Sequence, residues 1–535
     1  MRIGFFILFL LFNLSRADVL HDIRQYIEAR TQQTPQAVRQ KCGFGPALEL
    51  RLAYPYLPAS LQKLAKPLLI KPRRQYSVKS PSGHFTLYYD LTGYNKVPAK
   101  DSLKNGIPDY IDSAAVILDH VWDVEINRLG FRPPPDSTGQ PVQSYPVYFS
   151  NMGYYGVTNF DLGEDIAALP GYNYASYLEL HNNFAGGNFA TNGLDALKVT
   201  AAHEFHHAIQ LGYQLRWNGN INFPELPDRF FMEMTSTFME DYVYDGVNDY
   251  VQYVNRFLGV ADGRPFNITD GNTEYANCLY LKMLTRLYGV NIVRKIWEHI
   301  VRYPALQAID LTLRSYNDSF EKSFNQYADW LYFSGHHADS LHYFKDGALY
   351  KDLPVSRDPQ KLNTDLQYLT MRHVRILVDQ TSVFKAQVSC PSNAGRLSHI
   401  LNTREIQPSV PFNRSQYFSQ SQSYPLIVVL TNSTMNAIEN IQYDLQKTST
   451  IVKKNPLIVA TSRADQVQFM NVPGQARIII YNILGQKIKT IYANHSITVF
   501  WDLRDRWNRR VPSGMYLYRL EGAGLEAAGK FVVLR

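Results

Sequence analysis

Residues 197–215 read LKVTAAHEFHHAIQLGYQL and contain His-Glu-x-x-His as His203, Glu204 and His207. On a helix, residues four apart share one face a single turn apart. Two imidazoles so placed reach one Zn2+ at about 2.0–2.1 Å. Glu204, beside His203, stands where it takes a proton from an attacking water and passes it to a leaving amine. Zinc brings the pKa of a water it holds down to about 7, so the chemistry expected is hydrolysis at neutral pH. His206 lies at i+3 from His203 and competes, but only His207 is in the motif's register. The bland alternative is a helix carrying three accessory histidines.

Catalytic zinc needs a third protein ligand and an open position. The stretch PDRFFMEMTSTFMEDYVYD (227–245) has an apolar face of Phe230, Phe231, Met234, Phe238 and Tyr242, with Glu233, Thr237 and Glu240 along one edge. Glu233 is the expected third ligand, with Glu240 and then Glu225 behind it. Asp241 falls close to the apolar face, and the Nδ1–H of a ligand histidine is its natural partner. An oxyanion donor is also required. Tyr275, in NTEYANCLY, is the candidate, with Tyr280 and His299 as alternatives. A separate acidic loop, DSLKNGIPDYID (101–112), offers Asp101, Asn105, Asp109 and Asp112 around Gly106 as a structural Ca2+ site. Leu103 stands at its third position and cannot ligate, so the competing reading is a turn that caps the next helix.

The elements that must position these residues follow from periodicity. GHFTLYYDLTG (83–93) alternates and reads as a strand, as do SYPVYFSN and ASYLELHNN. YIDSAAVILDHVWDVEINRLG reads as a long amphipathic helix. Leu194–Tyr213 has no internal Gly or Pro until Gly212, and Asp195 near its start favours a helix N-terminus. From about 194 to 345 the pattern is predominantly helical, with a break at Gly289. A strand beside the motif helix is where an extended peptide would add as a further strand. After about 360 come short β segments: RHVRILVD, FKAQVS and YPLIVVLTN. A Lys-Lys-Asn-Pro linker (453–456) precedes six or seven more: QVQFMNV, ARIIIYNI, QKIKTIY, ITVFWDL, GMYLYRLE and GKFVVLR, with turns at Pro473-Gly474, Leu484-Gly485 and Pro512-Ser513-Gly514. Regular strand spacing with such turns argues a small Ig-like sandwich.

At 535 residues the chain is too long for one core, and roughly three or four domains are expected. Being 45% hydrophobic and 19% charged, it belongs to folded globular protein. A net charge of +7 over this length is mild and its basic clusters are short, so no nucleic-acid partner is expected. MRIGFFILFLLFNLSRA has Arg2, an apolar run and small residues at 15 and 17, the pattern of a secretory signal peptide. That run is too short to span a bilayer, and no later segment approaches it. Three cysteines, Cys42, Cys278 and Cys390, exclude a disulfide framework and allow at most one long-range bridge.

Taken together, GHFTLYYDLTG, NGIPDYID, ALKVTAAHEFHHAIQLGY and FFMEMTSTFMEDYVYD resemble secreted bacterial zinc metalloproteases of the gluzincin kind, over about residues 80–345. The resemblance implies His203, His207 and Glu233 as zinc ligands and Glu204 as the base. Phe-Met-Glu stands where those proteins more often have Trp-x-x-Glu. The tail, VPGQARIIIYNILGQKIKTI through GKFVVLR (about 455–535), resembles the C-terminal sorting domain of the type IX secretion system, with the Ig-like domain of flagellar hook-cap proteins a near look-alike. It implies the type IX machinery as a partner and a secreted or cell-surface location. The Cys-Gly of KCGFGPAL (41–48) resembles a cysteine switch, in which a thiolate fills the open zinc position until it is removed. The plainer expectation is a buried or disulfide-bonded Cys42.

The expected fold is multidomain α+β. A signal peptide (1–17) and an N-terminal segment (18–75, a candidate propeptide) precede a mainly helical zincin-like catalytic domain with a small sheet (76–350). A β-sandwich (351–452) and an Ig-like sandwich (453–535) follow. The expected function is zinc-dependent hydrolysis of a protein or peptide substrate. The alternatives are an exported surface or adhesion protein whose His-Glu-x-x-His helix is structural, and zinc hydrolysis of a non-peptide bond.

Overall fold

The computed structural model describes residues 20–533 apart from 32–39, 162–173, 187–188, 217–225, 358–360, 379–381, 403, 421–424, 448–457, 460–466, 470–471, 473–475, 494–498 and 523–524. The signal-peptide reading, the 453–456 linker, the Pro473-Gly474 turn and Glu225 lie outside the described residues. The chain divides into two units, Met1–Pro354 and Val355–Arg535. The whole is a mixed α/β protein with a β-rich C-terminal region.

The first unit is built on six strands: β1 (Gln40–Cys42), β2 (Tyr76–Lys79), β3 (Phe85–Tyr89), β4 (Tyr145–Ser150), β5 (Tyr154–Phe160) and β6 (Ser176–His181). They form one sheet in the order β1-β5-β6-β4-β3-β2. Pairing is parallel for β1 with β5, β3 with β4 and β4 with β6, and antiparallel for β5 with β6 and β2 with β3. Every residue of β5 and β6 is buried, as strands covered on both faces must be. The sheet is larger than the small one expected. It is also differently edged: ASYLELHNN becomes β6, an interior strand between β5 and β4.

The helices are α1 (20–31), α2 (Phe44–Ala53), α3 (Ala59–Ala65), α4 (Asp109–Trp122), α5 (Gly193–Tyr213), α6 (Arg229–Val243), α7 (Val251–Leu258), the short α8 (Thr273–Ala276), α9 (Cys278–Tyr288), α10 (Asn291–Ile300), α11 (Ala305–Arg314) and α12 (Phe320–Tyr332). The expected break at Gly289 is real: its φ of 85° ends α9 in a conformation that suits only glycine well. Helix α4 does not run on as one regular helix but passes into a π-helical turn at Asp123–Arg128. Helix α5 packs on β5, β6, α4 and α6. Its Phe205 is fully buried and meets Phe85, Trp122 and Tyr145 edge-on or tilted. Truncating such a ring costs about 3–5 kcal/mol, so α5 is held firmly against the sheet.

The N-terminal segment is packed into this unit. Ile23, Tyr26 and Ile27 of α1 and Leu50 of α2 share a core with Tyr154 and Val157 of β5. Two buried or half-buried ion pairs tie it down: Arg30 Nη2 to Glu179 Oε1 of β6 at 2.5 Å, and Glu49 Oε1 of α2 to Arg229 Nη1 of α6 at 2.7 Å.

In the second unit a four-stranded and a five-stranded sheet share one core that includes Val374, Val388, Leu397, Val428 and Tyr443. The predicted strands appear as Thr370–Leu377, Ser382–Ser389 and Pro425–Asn432. A three-stranded and a four-stranded sheet further along share a second core around Trp501, Tyr516 and Phe531. Six of its seven strands fall on the segments read from the pattern, from Val467–Phe469 to Leu525–Val533, and the seventh is the short Ile458–Val459. The three cysteines are all free, so the one long-range disulfide that the count allowed is not made.

Candidate metal centre

Helix α5 carries His203, Glu204 and His207 at the buried layer between the sheet and α6; none of the three is more than 1% exposed. Helix α6 is buried without a break from Phe230 to Asp241, and it presents Glu233 to the two histidines. His203 Nε2 lies 3.1 Å from His207 Nε2. Glu233 Oε2 lies 3.2 Å from His203 Nε2 and 3.3 Å from His207 Nε2.

The far side of each ring decides what these nitrogens are. His203 Nδ1 donates to Glu240 Oε1 at 2.7 Å, and His207 Nδ1 donates to Gln210 Oε1 at 2.8 Å. The Gln210 orientation is set in turn by its Nε2, which donates to Met232 O at 2.9 Å and Thr235 Oγ1 at 2.8 Å. With both Nδ1 atoms protonated, two Nε2 lone pairs and a carboxylate oxygen converge on one point. Such a cluster repels itself unless a cation sits in it. In a metal-free state a proton does this work: burial opposes charging of His203, but hydrogen bonds and charge from Glu233 and Glu240 outweigh it and raise its pKa to about 9. Burial likewise opposes ionisation of Glu233, and the two histidines overcome it and hold its pKa far below the usual range.

The spacing fits zinc. Two nitrogen or oxygen ligands at about 2.0–2.1 Å in tetrahedral array lie about 3.3 Å apart, and a sulfur at about 2.3 Å lies about 3.5 Å from such a nitrogen. Cys42 Sγ is 3.4 Å from His207 Nε2. Cys42, His203, His207 and Glu233 each offer one ligand atom within 4.8 Å of the others. Among the described residues they are the group of three or more such side chains able to hold a metal ion.

Glu204 is turned toward β5. Its Oε2 accepts from Thr158 Oγ1 at 2.7 Å, and its Oε1 is buried without a hydrogen-bond partner. A Cβ built on Gly156 of β5 would stand 2.5 Å from Glu204 Cγ, so this strand position has no room for a side chain. Tyr275 lies close by, its ring 6.1 Å from that of His203. Burial, then the charges of Glu233 and the neighbouring Cys42, push its phenol well up, so it keeps its proton and can donate.

Other expectations are redirected. Glu240, not Asp241, supports His203; Asp241 pairs with Lys282 instead. One helical position is a turn of about 100°, and Glu240 lies two turns beyond Glu233 on the same face. Tyr280 donates to or accepts from Ser323 at 2.7 Å inside a separate aromatic core, and His299 is half-exposed on α10. His206 faces away from the cluster: its Nδ1 is 2.8 Å from Glu125 Oε2, in the π-helical turn that the pattern did not reveal. Asp101, Asp109 and Asp112 do not converge as a ligand set. Asp101 accepts from the backbone N–H of Asn105 and Gly106, Asp109 accepts from Ser102, and Asn105 Nδ2 donates to Asp112. The side chains of this loop bond one another and its own backbone, and no side chain caps α4 at Pro108.

No curated protein matches the chain. Among solved structures, partial likenesses are found to PorZ, a surface component of the type IX secretion system of Porphyromonas gingivalis (19% identity, 18% of this chain and 14% of that one, TM-score 0.14). Others are to the BSP domain of a biofilm-associated protein (11% identity, 31% and 30%, TM-score 0.16) and to the adhesin domain of Epf from Streptococcus pyogenes (8% identity, 32% and 76%, TM-score 0.13). The chain spans less than a third of the first two, and overlaps this slight carry no argument about the fold or the site. Among the described residues no helix is long and apolar enough to cross a membrane. A family described as "Family of unknown function (DUF6055)" matches residues 55–332, which include His203, Glu204, His207, Glu233 and Tyr275, and the chain belongs to that family.

Proposed function

We propose that this chain is a zinc-dependent peptidase of zincin-like build, exported and then released or held at the cell surface. The observation that carries the reading is the convergence of two Nε2 lone pairs and Glu233 Oε2, with both Nδ1 atoms already committed to acceptors. His203, His207 and Glu233 would hold the metal. When bound, zinc supplies carbonyl polarisation and a hydroxide-like nucleophile near neutral pH. The remaining work falls to the chain. Glu204 has one carboxylate oxygen anchored by Thr158 and one unpartnered, so the free oxygen can accept a proton from water and return it to the leaving amine. Tyr275 is a protonated donor beside His203 and suits the developing oxyanion. Glu240 and Gln210 fix the tautomer and tilt of the two histidines. The signal-peptide pattern and the last sandwich, whose sequence resembles a type IX sorting domain, support export.

One observation favours a second reading. Four donors, Cys42 included, are the complement of a closed structural zinc site, as a surface or adhesion protein with no hydrolytic activity would carry. The first experiment is metal content of the purified protein beside His207→Ala. About one zinc per chain, lost in the variant, is expected; no metal in the wild type, even after incubation with excess zinc, would remove the peptidase reading.

A further inference from the structure

We infer that Lys41–Phe44 is a built-in ligand of this centre: Cys42 supplies its fourth donor, and the arrangement seen is a latent form of the peptidase. The inference rests on the metal reading above. Strand β1 lies on the outer edge of β5, with Cys42 opposite Gly156, and Gly43 N donates to Gly156 O at 3.0 Å. The outer edge of β5 is thus already paired at the point where Glu204 presses on Gly156, so an extended peptide cannot add there beside the base. The neighbouring side chains all reach the centre. Lys41, 5% exposed, puts its Nζ 2.9 Å from Glu240 Oε2 and 2.6 Å from Asp249 Oδ2, while the other oxygen of Glu240 holds His203. The Phe44 ring stacks on His207 at 4.1 Å and 14°. Phe44 N donates to Cys42 Sγ at 3.3 Å.

Three side chains within four residues therefore engage the ligand His207, the ligand support Glu240 and the open coordination position. The family match begins at residue 55, so the ligands and the base lie inside it and this segment lies outside. Hydrolysis needs an open position at the metal, and a coordinated Cys42, its proton released to solvent, leaves none.

The test uses the full chain loaded with zinc. X-ray absorption at the zinc edge is expected to show one sulfur at about 2.3 Å among nitrogen and oxygen neighbours at about 2.0–2.1 Å. In Cys42→Ser the sulfur is lost while zinc content is kept. Hydrolysis of a fluorescent casein by Cys42→Ser, and by Cys42→Ala as a second variant, is expected to rise by about tenfold or more, the gain when a blocked state populated about 90% of the time is removed. Zinc without a sulfur neighbour in the wild type overturns the latch and leaves the peptidase reading standing. A sulfur neighbour with no gain in either folded variant also overturns it and makes Cys42 a ligand of a closed site. A wild type that binds no zinc sinks both. The absorption measurement on the wild type stands even if neither variant folds.

Discussion

The two units of the molecule each bury a histidine completely, and they treat it in opposite ways. His399, in the strand Gly395–Leu401, is surrounded by neutral partners: its Nδ1 meets Gln416 Oε1, and Tyr443 Oη lies 3.0 Å from its Nε2. Burial lowers its pKa, the Gln416 bond offsets this only in part, and it falls to about 4. His203 is equally buried, yet two carboxylates face its two nitrogens and its pKa rises to about 9. The same removal from water makes one imidazole a neutral core group and the other a cation or a ligand. Depth of burial does not separate the two; the formal charge of the partners does. His206 makes the point within one helix, three residues from His203. Its partner Glu125 is itself pushed well up by burial and so offers a neutral carboxyl, and burial first, then repulsion from His207 and His203, drive the pKa of His206 well down.

Several measurements would break or sharpen this contrast. The largest effect is expected from Glu204→Gln, which removes the proposed base and leaves the proposed ligands. Turnover should fall by about 10²–10⁴-fold with zinc content unchanged, and full activity in that variant would rule out its role. Next comes acid. The unfolded His399 side chain takes up a proton near its ordinary pKa of 6.5, which the folded one refuses until about pH 4. Its contribution is therefore complete above pH 6.5 and is lost as pH falls toward 4, by about 3 kcal/mol at most. Urea unfolding of the second unit across that range should show the loss, and a His399→Asn variant should flatten it. The smallest change is expected from Glu240→Gln, which keeps an acceptor for His203 Nδ1 but removes its charge. Zinc affinity should weaken by about 10–100-fold, read by competition with a chelator; an unchanged affinity would mean that partner charge is not what sets His203 apart.

Much of the centre was legible because it is local. The spacing of His203 and His207 on an uninterrupted helix, and a carboxylate on the following helix, are periodic features that read directly. So were the short β segments of the second unit and the Gly289 break. What escaped is either non-local or rotationally ambiguous. The pairing of Cys42 with Gly156 joins segments more than a hundred residues apart, and no short-range pattern announces it; only the Cys-Gly dipeptide gave a sign. The choice between Glu240 and Asp241 could not be made from amphipathicity, because α6 is buried all along that stretch and has no polar face to set the phase. Strand β5 went unread because YYGVTNF carries Gly156 in its interior, where glycine weakens a strand pattern.

The separation of Cys42 from His207 by 165 residues has a consequence for how the molecule is made. Chains grow from the N-terminus at about 5–20 residues per second, so residues 40–44 exist roughly 8–33 s before His207 is added. Glu233 and Glu240 come later still. A ribosome-bound or prematurely ended chain therefore holds the thiol and lacks the ligand set. From the first moment at which the two helices can bring His203, His207 and Glu233 together, the segment that carries Cys42 is already present in the same polypeptide at high effective concentration.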